Sequence, residues 1–293
     1  MIEFVQYVIS GVLVGCVYAM ITAGFIVIYR GSRVFNLAQG ELVMVGGFLI
    51  WYLAQTVLPT WVAVLLALGS LAILGLLLER LVFRPLIGQP LFAMVMVTVA
   101  LMLFLRGAAV IAWGPRLQAF PVVFPYDAIW IGPFVFNQSL VWGAFLSVAV
   151  VVGMWWMFRG TTLGLTMSGV AEDHQVARSL GISVKQSIAL AWIIGCMISG
   201  LAAAILFSGR TISFTTAEIG LSALPCALLA GLESVPGALL AGLLVGLGSS
   251  LCEGYLDPLT FGGTSTVFPF VMIVIVLIFL PNGLFGWKTI ERL

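Results

Sequence analysis

Few residues in this chain could do chemistry, and they fall in four places. The segment Asn36-Leu37-Ala38-Gln39-Gly40-Glu41 sets two amides and a carboxylate within six positions. Arg106 is a guanidinium inside an apolar run from Leu91 to Trp113. Glu172, Asp173, His174, Arg178 and Lys185 cluster between 159 and 185, in a chain otherwise almost free of charge. Gly231-Leu232-Glu233-Ser234-Val235-Pro236-Gly237 interrupts an apolar stretch from 219 to 254.

These groups suit the holding of a polar solute or a partner better than the breaking of bonds. The only lysines, Lys185 and Lys288, follow no phosphate-binding glycine pattern. The single histidine, His174, has no second histidine or nearby cysteine with which to bind metal. Cys16, Cys196, Cys226 and Cys252 lie far apart in or beside apolar runs and read as small packing residues. An enzyme is not expected, nor any cofactor or metal within the chain. No string of buried carboxylates suggests a proton relay, although ion-coupled carriers can instead use broken helices and backbone carbonyls.

The elements that position these groups must cross a bilayer. Of 293 residues, 62% are apolar and 8% charged, where a soluble domain carries about 25% charged residues. Mean hydropathy is +1.21. So little charge could not cover a globule in water, and the solvent must be lipid. The formal charge of +1 excludes an electrostatic nucleic-acid binder. Met1-Ile2-Glu3-Phe4 lacks the basic start of a signal peptide, so the first apolar run reads as a retained membrane helix.

Runs long enough for a span, about 20 residues, lie near 4–29, 42–58, 61–79, 91–113, 139–158, 186–208 and 266–282. The interrupted stretch from 219 to 254 is either two short spans joined by a tight turn or a segment broken within the membrane. The expected fold is an all-α polytopic membrane helix bundle of eight or nine transmembrane segments, in a single domain over 1–293. Basic residues set its orientation. Arg30, Arg33, Arg80, Arg84, Arg159, Arg178, Lys185, Lys288 and Arg292 fall on one side, and Arg116 and Arg210 on the other. That places the N-terminus outside and the C-terminus in the cytoplasm, which an odd count of nine satisfies. The outer loop from 114 to 138 carries Pro115, Pro121, Pro125 and Pro133, and is expected to be ordered as a rigid connector or a docking surface.

Each polar group has a structural and a functional reading. Arg106 either snorkels to the outer interface or faces a pore. Asn36 could cap a helix with Glu41 in its first turn, or Gln39-Gly40-Glu41 could kink at the inner mouth of a pathway. The spacings Gly11-x-x-x-Gly15 and Gly242-x-x-x-Gly246 permit close helix packing, within the bundle or at a subunit interface. Between Val170 and Leu180 the spacing predicts a short amphipathic helix on the cytoplasmic face, ended by Gly181. Its acidic pair suits a groove on a partner protein better than anionic lipid.

The ordered set of these segments resembles the permease subunits of branched-chain amino acid ABC transporters, in particular the LivH-like member of the LivH/LivM pair. Three stretches carry the resemblance. The first is Gly15-Cys16-Val17-Tyr18-Ala19-Met20 running into Asn36–Leu42, which is similar to the family's N-F-A-H-G-E element. The second runs from Gly164 through Glu172, Asp173, Ala177, Arg178, Leu180, Gly181 and Ile182, similar to the cytoplasmic coupling loop. The third, Leu228–Ala238, resembles a G-G-x-G-S-x-x-G-A segment. Gln39 stands where the family has His, Leu37 where it has Phe, Ala230 where it has Gly, and Glu233 where it has a small residue.

The resemblance implies one membrane subunit of an ATP-driven importer in a bacterial inner membrane. Its solutes would be branched-chain or other amino acids, or related small organic solutes. Its partners would be a second permease subunit (a LivM-like paralogue or a second copy of itself), two cytoplasmic ATPases carrying ATP and Mg, and a periplasmic solute-binding protein. Glu172, Asp173, Ala177, Arg178, Leu180 and Gly181 would form the coupling helix. Asn36, Gln39, Gly40, Glu41, Arg106, Gly231, Glu233, Ser234 and Gly237 are candidates for the path or its gate. A stand-alone carrier or facilitator for a small polar solute is the alternative, with its site at the break near Gly231–Gly237.

Overall fold

The computed structural model describes residues 1–260, 262–280 and 283–285. Lys288 and Arg292, which the charge count places on the inner side, lie outside the described residues. Eleven α-helices make up the described part: α1 (Ile2–Ser32), α2 (Gln39–Ala54), α3 (Thr60–Leu78), α4 (Leu91–Trp113), α5 (Gln138–Gly160), α6 (Thr162–Glu172), α7 (His174–Ser179), α8 (Val184–Leu206), α9 (Glu218–Leu229), α10 (Val235–Tyr255) and α11 (Thr264–Phe279). Six helical stretches are long and apolar enough to cross a membrane, and Gln39–Ala54, Phe214–Leu229 and Thr264–Phe279 are shorter apolar helices. The expected all-α polytopic bundle is what forms. Short strands β1 (Gln118–Ala119), β2 (Ala128–Ile131), β3 (Phe134–Asn137) and β4 (Thr211–Ile212) occur only in the connections.

Those strands mark one end of the bundle, which we call the hairpin end. β2 and β3 pair antiparallel from Ala128–Asn137 to Ile131–Phe134, and β1 pairs with β4. Gln6 Nε2 donates to the Val135 carbonyl, and the Ser208 hydroxyl accepts from the Val123 and Phe124 amides at 3.0 and 2.8 Å. The loop from 114 to 138 is therefore ordered against the helices. At the opposite end lie α6 and α7.

Small residues set the core. Helices α1 and α10 run antiparallel, and a Cβ added at Gly15 would lie 2.7 Å from the Gly242 carbonyl oxygen. One added at Gly242 would lie 2.6 Å from the Gly15 oxygen. Backbones this close gain dispersion contact that lipid cannot supply. Gly11 and Gly246 continue the same seam, and Gly46 meets Gly200 between α2 and α8. The glycine spacings thus serve the chain's own packing.

Two segments depart from long continuous helices. After Arg33 the chain leaves the helical state, runs without regular structure through Asn36 and turns at Leu37–Ala38 before α2 begins. Gly24 and Ser199 flank Gln39. At a rise of about 1.5 Å per residue, Gly24 lies roughly 13 Å above Arg33 along α1, so α2 starts inside the bundle, at a level we call mid-depth. Non-helical backbone at that depth must find its hydrogen bonds within protein. It does so: Thr98 of α4 donates to the Phe35 carbonyl at 3.2 Å, and the Asn36 side chain accepts from the Ala38 amide at 3.1 Å.

The second departure is α9. A short 3-10 turn, Phe214–Ala217, leads into it, and its first residues cross the start of α2. Only the turn 230–234 separates α9 from α10, so the stretch from 219 to 254 is two helices joined tightly, the first of them short. One expectation needs correction: Val170–Leu180 is not a single helix. Asp173 leaves helical geometry at φ −150°, ψ 116°, ending α6 and capping α7 by accepting from the Gln175 and Val176 amides. An acidic side chain at that position satisfies the free N–H groups of a new helix better than it continues an old one.

Replacing Gly242 with Val should overpack the α1–α10 seam and destabilise the protein by about 1–3 kcal/mol. Gly153→Ala, where a Cβ meets nothing within 4 Å, should have little effect. Thermal unfolding in detergent compares the two, and equal losses would contradict the assignment of the seam.

Candidate functional site

Two polar assemblies hold nearly all of the candidate residues. The first lies at mid-depth, where α2 begins. Gln39 is fully buried. Its Nε2 donates to Ser199 Oγ on α8 at 2.9 Å, and its Oε1 accepts from Asn36 Nδ2 at 3.2 Å. Both ends of the amide are therefore satisfied, as a buried amide requires. Ala38, rather than Asn36, is the N-cap of α2; Asn36 instead folds the non-helical segment onto the helix start. The element sits deeper than an inner mouth.

Gly40 and Gly220 make the crossing of α2 with α9 possible. A Cβ on Gly40 would sit 2.1 Å from the Ala217 oxygen, and one on Gly220 would sit 2.2 Å from the Gly40 Cα. The starts of two helices therefore touch inside the bundle. Glu41 occupies the first turn of α2, where a carboxylate complements the helix dipole. Its side chain is 3% exposed and accepts from Arg106 Nη2 at 2.9 Å. Arg106 thus pairs into the bundle instead of snorkelling away from it. A buried carboxylate at membrane depth without this partner would carry an uncompensated desolvation cost.

The second assembly lies at the α6–α7 end. Helix α1 stops at Arg33, a non-glycine residue in the left-handed region at φ 56°. The turn reaches three elements. Arg33 Nε donates to the Ala171 carbonyl at 3.0 Å, Nη2 reaches Glu172 at 3.4 Å, and Nη1 pairs with Glu233. Burial lowers the Arg33 pKa, but hydrogen bonding and charge pairing with Glu233, helped by Tyr29, outweigh it and hold the pKa above the ordinary arginine value. No accessible pH would release this clamp by neutralising Arg33. Beside it, Arg30 donates to Ser168 Oγ at 2.9 Å and stacks over Phe158.

Glu233 sits on the turn between α9 and α10. Helix α9 ends in paired backbone bonds, from Gly231 N to Leu228 O and from Leu232 N to Ala227 O, with Gly231 at φ 81°. This is the reciprocal cap that a left-handed glycine permits. Ser234 then opens α10 by accepting from the Gly237 amide at 3.1 Å. Gly231, Glu233, Ser234 and Gly237 are thereby brought together as one rigid corner, at the α6–α7 end of α9 and not at mid-depth.

Helix α7 repeats the same ending. Gly181 N donates to Arg178 O and Ile182 N to Ala177 O, with Gly181 at φ 77°. Ala177 is buried against the chain itself, whereas Val176 and Leu180 are 54% and 72% exposed. The projecting apolar pair is therefore Val176 and Leu180, spaced four apart and flanked by exposed Glu172 and Arg178.

Sequence spacing missed Arg33 as a site residue. Its partners are 138 to 200 positions away, and only the fold brings them together. Ser199, Ser168 and Thr98 were hidden for the same reason. Missed too was Glu79, whose fully buried side chain accepts from Arg84 Nε at 3.0 Å and Nη2 at 2.8 Å.

Comparison with known proteins bears on what this arrangement serves. The family described as "Branched-chain amino acid transport system / permease component" matches residues 7–277. The chain belongs to that family. BraD, a high-affinity branched-chain amino acid transport system permease protein of Pseudomonas aeruginosa, is 27% identical, the match covering 99% of this chain and 98% of BraD. The corresponding LivH of Escherichia coli K12 is 25% identical over 99% and 97% of the two chains. A probable LivH of Methanocaldococcus jannaschii is 25% identical over 94% and 90%. Among solved structures, PsaBC from Streptococcus pneumoniae in complex with Fab aligns over 94% of this chain and 90% of its own at 15% identity and a TM-score of 0.49, a likeness too slight to argue from. This LivH-like chain is thus a multi-pass membrane permease of amino-acid transport. The departures at Gln39 and Glu233 fall on the two assemblies: each contributes a side chain that a partner elsewhere in the bundle takes up.

In this permease Glu41→Gln and Arg106→Gln should each lower the unfolding midpoint, and the double variant should lose less than their sum. A double-mutant cycle should return a coupling of about 0.5–3 kcal/mol. Additive effects would show that the 2.9 Å pair carries no coupling.

Proposed function

We propose that this permease is one transmembrane subunit of an ATP-driven ABC importer of the bacterial inner membrane. It would carry branched-chain amino acids, other amino acids or related small organic solutes. Hydrolysis would take place on two separate cytoplasmic ATPase subunits that hold ATP and Mg. A second permease subunit and a periplasmic solute-binding protein would complete the machine. The six long helices and three shorter ones form nine spans, with the N-terminus outside, the C-terminus inside and α6–α7 in the cytoplasm.

One observation carries this reading. The α6–α7 projection offers Val176 and Leu180 outward, yet its rear is tied through Arg33 to the α9–α10 corner. Exposed apolar residues on a short charged-flanked helix suit a groove on another protein. A push received there would pass through Glu172 and Arg33 to Glu233 and so to α9. Helix α9 starts at the Gly40–Gly220 crossing, where Asn36, Gln39, Glu41 and Arg106 gather. The coupling surface and the mid-depth gate are thus the two ends of one lever.

The relatives' names support an amino acid as solute. The chain's own polar groups are consistent with that, because a zwitterion needs paired donors and acceptors rather than one strong charge.

Val176→Asp and Leu180→Asp should abolish ATP-dependent uptake while leaving membrane insertion intact, because they charge the docking face without disturbing the buried Ala177. Arg33→Gln should keep ATP hydrolysis but lose uptake, measured in vesicles holding the whole transporter. Uptake by the purified chain alone, down a solute or ion gradient in proteoliposomes, would contradict the importer reading and favour a stand-alone carrier.

A further inference from the structure

A groove of about 190 Å³ opens between α1, α9, α10 and α11, away from both assemblies. Ser10, Tyr18, Ser222, Ser249, Glu253 and Thr266 line it. Glu253 and Thr266 lie near the hairpin end of their helices, Ser249 one turn deeper, and Tyr18 and Ser222 close to mid-depth. Ser222 and Gly220 point to opposite sides of α9, about 200° apart round the helix, so α9 itself stands between the groove's floor and the α2–α9 crossing. Faces that meet lipid look different. Along α3 the exposed side chains include Trp61, Leu65, Leu66, Ile73, Leu76 and Leu77, and along α11 they include Val271, Val274, Ile275 and Ile278.

Hydroxyls turned towards hydrocarbon would be costly, since lipid offers no hydrogen bond. Ser249 Oγ is buried and has no partner among the described residues. Among the described residues the lining holds one carboxylate, Glu253, and no lysine, arginine or histidine. Such a surface at membrane depth is explained if it is wet.

We infer that this groove is the outer vestibule of the solute path, selecting small zwitterionic or neutral polar solutes. Glu253 receives a cationic ammonium end at the mouth, and the hydroxyls of Ser249, Tyr18 and Ser222 donate to the carboxylate or other polar end deeper in the groove. An anion lacking a cationic group is disfavoured at the mouth by Glu253. The inference rests on reading the chain as a solute-conducting permease, and it does not depend on ATP driving the transport.

The test is cysteine labelling in vesicles containing the whole transporter, with membrane-impermeant thiosulfonates added from the outer side. Thiol chemistry proceeds through the thiolate, which needs water. Ser222→Cys and Ser249→Cys should therefore react at least about tenfold faster than Leu244→Cys, an exposed position on another face of α10. Thr266→Cys at the rim shows that the reagent reaches the mouth. At Ser249→Cys a cationic reagent should outrun an anionic one by about fivefold or more, as one nearby charge provides, and Glu253→Gln should remove that preference. Ser222→Cys and Ser249→Cys reacting no faster than Leu244→Cys, while Thr266→Cys reacts, would overturn the vestibule. Fast labelling without charge preference would overturn the role of Glu253 and the solute selection built on it. Because labelling needs no ATP, it can succeed where ATP-dependent uptake fails, which separates this inference from the importer reading.

Discussion

Arg33 is the residue on which the rest of this bundle turns. It ends the longest helix in a left-handed turn, starts the non-helical climb to mid-depth, and holds two carboxylates and a carbonyl from distant segments. The pairing with Glu172 is half open to water, so on its own it stabilises little. The value of the cluster is geometric. It fixes the end of α6 against the α9–α10 corner, and both against α1, so these three elements share one reference point.

The mid-depth assembly follows from the same turn. Because the chain leaves α1 through a non-helical connection, α2 begins inside the bundle, and its first turn can meet α9 at Gly40 and Gly220. The non-helical backbone survives there because Thr98 and Asn36 supply its hydrogen bonds. Broken spans at the depth where solute must pass are a recurrent device of transporters, since half-helices present backbone and dipole ends that a continuous helix hides. Here the crossing is closely packed, with Gln39 and Glu41 both occupied by partners. The hydroxyl-lined groove lies on the other side of α9.

The sequence made much of this legible. The scarcity of charge announced the membrane, the apolar runs located the long helices, and glycine spacing marked the α1–α10 seam. Gly181 and Gly231 were readable as stops because only glycine takes that backbone angle without strain. Three features were not readable. The climb from Arg33 to Ala38 is short and has no periodicity of its own, so nothing local says that it rises into the bundle. Asp173 reads as part of a helix until its capping bonds are seen. Arg33 looks like an ordinary inner-side arginine, because its partners lie well over a hundred residues away. Ionic and hydrogen-bond partners chosen by tertiary folding leave no periodic trace, whereas helices and turns do.

The central claim is that α6 and the α9–α10 corner move as one body because Arg33 binds both. Spin labels at Leu165→Cys on α6 and Leu240→Cys on α10, both exposed positions, report this directly by pulsed electron resonance in the assembled transporter. A label at Phe104→Cys on α4 serves as the fixed reference. The account predicts that the Leu165–Leu240 distance stays constant between nucleotide-free and ATP-bound states while the Leu165–Phe104 distance changes, and that Arg33→Gln broadens the first. A wild-type Leu165–Leu240 distance that shifts as far as Leu165–Phe104 would contradict it.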